Sequence, residues 1–218
     1  MIWVYAICER AAVTPLPGTG LAGAALEGVD EGELLAVITR HAHVPDIQMD
    51  AVVAHEEVVE RLMANGPVLP MRFGSNMPTS AALRRALAAH HGELLAALET
   101  VRGRVELAVR AVLRNDREHA PAEGDDSGRA YVHRKLDVLG RVEALHAPLA
   151  AVAAADSRLP RQTPREVFRA SYLVDGAAVA DFQSLTRRLQ AEHEDLAVLC
   201  TGPWPPYSFV KVPILGAG

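Results

Sequence analysis

Cysteine is scarce in this chain of 218 residues. The two present, Cys8 and Cys200, each sit inside an apolar run and form no Cys-x-x-Cys pair. That usage excludes a disulfide-stapled scaffold and suits free buried thiols in a reducing compartment. Basic excess is also missing. The net charge is -5 and the pI about 6.0, and the pairs Arg84-Arg85 and Arg187-Arg188 are too sparse to form a basic stripe, so a role that rests on neutralising phosphates is excluded and no nucleic-acid partner is expected. No run reaches the roughly 18 apolar residues that a bilayer span requires, and mean hydropathy is +0.08, so no membrane partner is expected. The first apolar run, Ile2 to Cys8, is too short for a signal peptide and lacks a basic leader, which makes the cytoplasm the expected location. Lysine is nearly absent, 2 against 20 arginines, and alanine is abundant; this is the codon bias of a GC-rich genome and carries no function.

Half of the residues are hydrophobic, enough for one large domain or two small ones. Ile2 to Cys8 has the composition of a strand covered on both faces. Glu33 to Thr39 reads as a second strand. Asp50 reads as the N-cap of a helix that carries Val52, Val59, Leu62 and Met63 and stops at Asn65-Gly66. The run Pro67 to Phe73 is strand-like, with Pro70 pushing it to a sheet edge or a bulge. From Thr79 to Val101, Leu83, Leu87, Leu94, Leu98 and Val101 recur at helical spacing, which predicts one long amphipathic helix capped by Thr79 or Ser80. Val105, Leu107, Val109, Ala111 and Leu113 then alternate with Glu106, Arg110 and Arg114, the cleanest period of two in the chain.

The stretch "NDREHAPAEGDDSG", Asn115 to Gly128, holds five acids and no large apolar residue, and is expected to be a solvated linker or long loop. Beyond it come a helix from Val132 to Val152 that Pro148 should kink or end, an alternating strand with Phe168, Ala170, Tyr172 and Val174, a helix capped by Asp175 with Val179, Phe182, Leu185 and Leu189 in a stripe, and a last strand, Leu196 to Cys200. The resulting expectation is an α+β protein of two domains: an N-terminal α+β domain over 1–114, the acidic linker or loop over 115–128, and over 129–218 a C-terminal modified ferredoxin-like sandwich with an antiparallel sheet. The strand 105–113 fits either domain's sheet.

Signs of catalysis are weak. "GTGLAG" (Gly18, Gly20, Gly23) matches a dinucleotide fingerprint by letter. It lacks the strand-to-helix context, with Pro15 and Pro17 intervening and no acid near Arg40, so no cofactor is expected. His41 with His43, and His90-His91 with Glu93, lack the helical i, i+4 histidine pairing of a metal site, and no metal is expected. Glu123, Asp125 and Asp126 lack the order of a calcium loop, and there is no G-x-S-x-G elbow. The chain is therefore not expected to be an enzyme. The tail stands apart: of ten aromatic residues, Trp204, Tyr207 and Phe209 lie within six positions beside Pro203, Pro205 and Pro206. The prolines fix φ and extend the segment, so it fits either a structural strap docked into its own domain's core or a partner contact.

Four stretches together carry a resemblance: "VYAI" at Val4 to Ile7, "VLPMRFG" at Val68 to Gly74, "REVFRASYLVD" at Arg165 to Asp175 and "GPWPPYSF" at Gly202 to Phe209. In this order, over nearly the whole chain, they resemble the gas vesicle protein GvpF/GvpL family. The resemblance implies a two-domain α+β accessory protein with no known catalysis. It also implies contact with the small hydrophobic major shell protein and with other accessory proteins, and presence as a minor vesicle component. No catalytic residues carry over. Met71 stands where the family form "VLPLRFGTVF" has leucine, a volume-conserving exchange, and Ser75 to Met77 replace the residues after the glycine. The runner-up reading is a small-molecule-binding enzyme on a ferredoxin-like scaffold.

Overall fold

The computed structural model describes residues 1–13, 16, 18–43, 48–114, 128–163 and 165–210, without the side chains of 128–138. The chain divides into two compact units, Met1–Val105 with Trp204–Gly218 and Glu106–Pro203.

In the first unit, strands β1 (Ile2–Glu9), β2 (Glu27–Glu31), β3 (Leu34–Arg40) and β4 (Val68–Pro70) lie in the order β2-β3-β1-β4, and a two-residue β5 (Asn76–Met77) also pairs with β1. β1 is antiparallel to β3, β4 and β5. Its first seven residues are buried, as an unbroken apolar run at the centre of a covered sheet should be. Its pairing with β3 shifts register between Val4 and Ala6. A bulge there puts both Tyr5 and Ala6 into the cluster that packs under helix α1 (Met49–Met63). β4 and β5 share one edge of β1 end to end, bridged by Met71 N–H to the Tyr5 carbonyl at 2.8 Å and Val4 N–H to the Ser75 carbonyl at 2.9 Å. Pro70 is thus on an edge strand, where its missing donor costs nothing.

Two features differ from the sequence reading. β2 is unforeseen, because its segment is acidic and begins beside Gly28; what makes it is a two-residue turn to β3 with Gly32 at φ +59°. The expected long helix 79–101 is two helices, α2 (Ser80–Ala89) and α3 (His91–Val101), broken at His90 with φ -118° and ψ 18°. All five predicted stripe residues are buried, since the apolar phase carries across the break. Thr79 caps α2, its hydroxyl accepting from Ala82 N–H at 3.1 Å.

The second unit runs β6 (Arg104–Leu113, the unit itself starting at Glu106), α4 (Gly128–Ala151), β7 (Ala155–Arg158), β8 (Glu166–Asp175), α5 (Val179–Glu192) and β9 (Leu196–Trp204, of which Trp204 belongs to the first unit). The strands lie in the order β7-β8-β6-β9, with β7 antiparallel to β8. This β-α-β-β-α-β order is the ferredoxin-like arrangement. Its core joins Leu107, Val109, Ala111 and Leu113 to Leu145, Leu149, Phe182 and Leu189. That packing sets the limits of the unit: β6 needs α4 and α5 to cover its apolar face, so the sheet begins before the acidic stretch and not at residue 129. The compact units therefore differ from the expected spans 1–114 and 129–218 at both ends, since the tail also returns to the first unit. Residues 115–127 lie outside the described residues. α4 continues through Pro148 to Ala151, so the proline neither ends the helix nor begins the next strand. β7, short and polar, is a further strand that periodicity does not reveal.

Candidate functional site

The segment Trp204–Phe209 leaves β9 and lies on the first unit. Its backbone folds into a pair of turns, Tyr207 N–H to the Pro205 carbonyl at 2.8 Å and Phe209 N–H to the Pro206 carbonyl at 3.1 Å. Pro205 and Pro206 are buried, Tyr207 and Phe209 half-buried, and Trp204 is 45% exposed. The Tyr207 hydroxyl donates to the Glu56 carboxylate of α1, 2.9 Å from Oε1 and 3.0 Å from Oε2. Burial pushes the Glu56 carboxyl up, the Tyr207 hydrogen bond holds it down, and Glu60 one turn away raises it. Burial and the facing carboxylate push the Tyr207 phenol well above its ordinary range. One turn further along α1, Pro206 closes a groove of about 530 Å³ between Glu60, Met63, the Asn65–Val68 connection and Val101–Val105.

The sequence reading allowed a strap packed into the core of its own C-terminal domain. The strap packs instead against the first unit, anchored by Tyr207 and the two prolines, and Trp204 is its most exposed part. Sequence reasoning missed Glu56, which periodicity places on the polar side of α1. A tyrosine in a proline-fixed tail with one hydroxyl to satisfy is the signal that a buried carboxylate or carbonyl must wait for it.

Sequence reasoning also missed His55, which is fully buried and sits on the apolar stripe of α1 beside Val58, Val59 and Leu62. Trp3 Nε1–H donates to its Nδ1 at 3.0 Å, and its Nε2 lies 2.8 Å from the Met71 carbonyl. Trp3 can only donate and the carbonyl can only accept, so the ring is neutral with its proton on Nε2. Burial lowers its pKa accordingly. In the second unit the His146 and Tyr172 side chains share a hydrogen bond of 2.9 Å, with Asp156 3.6 Å from the other ring nitrogen. Tyr172 is fully buried and His146 nearly so, which places this pair in the core of the unit.

"GTGLAG" is a structural loop. Gly18 and Gly23 have φ of +74° and +70°, Leu21 is buried, and Leu21 N–H donates to the Tyr5 hydroxyl at 2.8 Å. A Cβ on Gly20 would clash with that hydroxyl and come within 2.8 Å of Thr39 Cγ2. Gly20→Ala is therefore expected to cost about 1–3 kcal/mol by overpacking, measured as a lower midpoint of chemical unfolding, whereas Gly23→Ala, with open space but positive φ, should cost about 1 kcal/mol. Equal, negligible losses would mean that the loop does not bear on Tyr5.

Three of the cluster histidines make local contacts: His41 Nε2 with Thr39 Oγ1 at 2.7 Å, His90 facing Glu93 at 3.4 Å, and His91 facing Glu33 at 3.8 Å. Among the described residues no group of three or more His, Cys, Asp or Glu could hold a metal ion. Cys8 is buried and its thiol is pushed up to about 12 by burial; Cys200 is half-buried and also raised. Glu123, Asp125 and Asp126 lie outside the described residues. Among the described residues no helix is long and apolar enough to cross a membrane.

A small α+β unit extended by a tail strap and a ferredoxin-like unit define a two-part α+β protein. Two solved structures share this fold: that of the gas vesicle protein GvpF from Anabaena sp. PCC7120, with TM-score 0.79 over 97% of this chain and 98% of that one, and that of GvpF from Microcystis aeruginosa, with TM-score 0.76 over 95% and 98%, each at 15% identity. The family model for gas vesicle synthesis protein GvpL/GvpF matches residues 1–138 and 133–211, and the chain belongs to that family. It is 29% identical to gas vesicle protein F2 of Halobacterium salinarum over 98% of this chain and 93% of that protein. It is 32% identical to gas vesicle protein L of a Streptomyces species over 75% and 70%.

Proposed function

We propose that this chain is an assembly factor of gas vesicles that binds the small hydrophobic shell protein, acts without catalysis, works in the cytoplasm and at the vesicle, and contacts other accessory proteins there. The observation that supports it is the match of the gas vesicle synthesis family along nearly the whole chain. The physical need is plain. A protein that builds a gas-filled wall exposes apolar surface before it assembles, and a soluble partner must cover that surface or seed ordered growth. The strap Trp204, Pro205, Pro206, Tyr207 and Phe209 then serves both as structure, through Tyr207 and the prolines, and as contact, through Trp204.

The test is co-purification from cells that express this chain with the shell protein of its gene cluster. Stoichiometric capture is expected. No capture, together with normal vesicles in a strain that lacks the gene, would overturn the reading. A tightly bound nucleotide or chromophore in the purified protein would favour an enzyme instead.

A further inference from the structure

Among the described residues the most exposed of the large apolar side chains is Met49, 76% exposed, and one turn later on the same helix Val53 is 48% exposed. Spacing of four places both on one face of α1. Continuing along that face come Glu56, held by Tyr207, and Glu60 and Met63, which line the groove closed by Pro206. Val68, Val101 and Val105 form the rest of its apolar wall. Met49, Val53, the strap and the groove all belong to the first unit, so they make one strip along a helix of 15 residues, about 20 Å long at about 1.5 Å per residue.

The charges beside this strip are mostly acidic. α1 carries Asp50, Glu56, Glu57 and Glu60 against Arg61, whose guanidinium donates to the Thr19 carbonyl at 2.7 Å. Across the groove, Arg102 is neutralised by Glu9 and Glu99, and Arg104 donates to the Thr100 carbonyl at 2.6 Å. An acidic rim around apolar anchors complements an amphipathic helix with an apolar stripe and lysine or arginine flanks.

The geometry points to the α1–strap strip as the docking surface for such a basic amphipathic helix of about four turns, supplied by the shell protein. This assignment rests on the shell-protein reading above. Apolar anchors from the incoming helix meet Met49 and Val53 at one end and enter the groove beside Met63 at the other. The acids of α1 select its orientation.

The full-length chain decides it, with the co-expressed shell protein as the probe. Met49→Glu combined with Val53→Glu changes exposed positions near the helix N-terminus, where acids are tolerated, and folding is checked by circular dichroism. Capture should fall by about tenfold or more. Leu199→Glu in the second unit, at a leucine exposed to a degree between those of Met49 and Val53, should capture as the parent does. The charge inversion Glu57→Lys with Glu60→Lys should weaken capture too, and decides the matter should the first variant fail to fold. Added salt should weaken the parent's capture. Parent capture unaffected by the α1 variants overturns the surface and leaves the function standing. Failure of the parent itself to capture the shell protein removes this surface, and together with normal vesicles in a strain that lacks the gene it removes the function as well.

Discussion

His55→Leu is expected to lose roughly 3 kcal/mol of stability, because leucine of similar volume strands two buried groups, the Trp3 indole N–H and the Met71 carbonyl, at about 1–3 kcal/mol each. His55→Gln should lose less, since its amide can accept from Trp3 and donate to Met71. The two variants also separate structure from titration. The folded protein holds His55 neutral, with a pKa below the unfolded value of about 6.5. Below that unfolded value the unfolded chain binds a proton that the folded chain refuses, so stability is fully present above about pH 6.5 and falls as the pH drops toward the folded pKa. His41, also lowered by burial, acts in the same direction, and Glu56, raised by burial, acts in the opposite one. Both are common to parent and His55→Gln, so the difference between their stability–pH curves reports His55. Chemical denaturation at steps between pH 8 and pH 5 should show the parent losing more than the glutamine variant. Parallel curves would mean that the buried ring is not held neutral.

The parts of this fold that the sequence reveals are those where burial alone sets the pattern. β1 is legible because both its faces are covered, β6 because one is, and α1 and α5 because their stripes are regular. Legibility ends where a local geometric choice does not alter the apolar phase. The break at His90 is invisible because Leu87 and Leu94 lie seven residues apart, two helical turns, whether or not the backbone pauses between them. β2 and β7 are set by what they pair with, not by their own polar sequences. The register shift at Tyr5 is of the same kind: an unbroken apolar run gives no sign of which residue is the extra one. Of the tail, the sequence reveals that it is rigid and aromatic. It cannot say which unit the tail docks on, because that depends on long-range partners such as Glu56, 151 residues away.

That partnership sets the last expectation, which concerns the strap as structure and as contact. Tyr207→Phe keeps the ring in place and removes the hydroxyl, leaving a half-buried carboxylate without its donor. Hydrogen bonds to charged groups contribute about 1.5–3 kcal/mol, and the loss should fall in that range. Glu56→Gln keeps an acceptor of the same shape and should lose less. In a double-mutant cycle the two should couple by about 1 kcal/mol or more, the signature of groups that share one contact. Trp204→Ala should behave otherwise. A fully buried aromatic truncated to alanine costs about 3–5 kcal/mol, but Trp204 is 45% exposed, and the apolar area it keeps from water is correspondingly smaller. Its loss should be on the order of 1 kcal/mol, while on the proposed reading of its exposed face as a contact, capture of the shell protein should fall by more than that change in stability explains. Denaturant midpoints and capture assays on the same four variants separate these roles. Additive losses in the cycle would show that Tyr207 and Glu56 do not hold the strap, and a Trp204→Ala protein that melts far below the parent would show that the tryptophan is core after all.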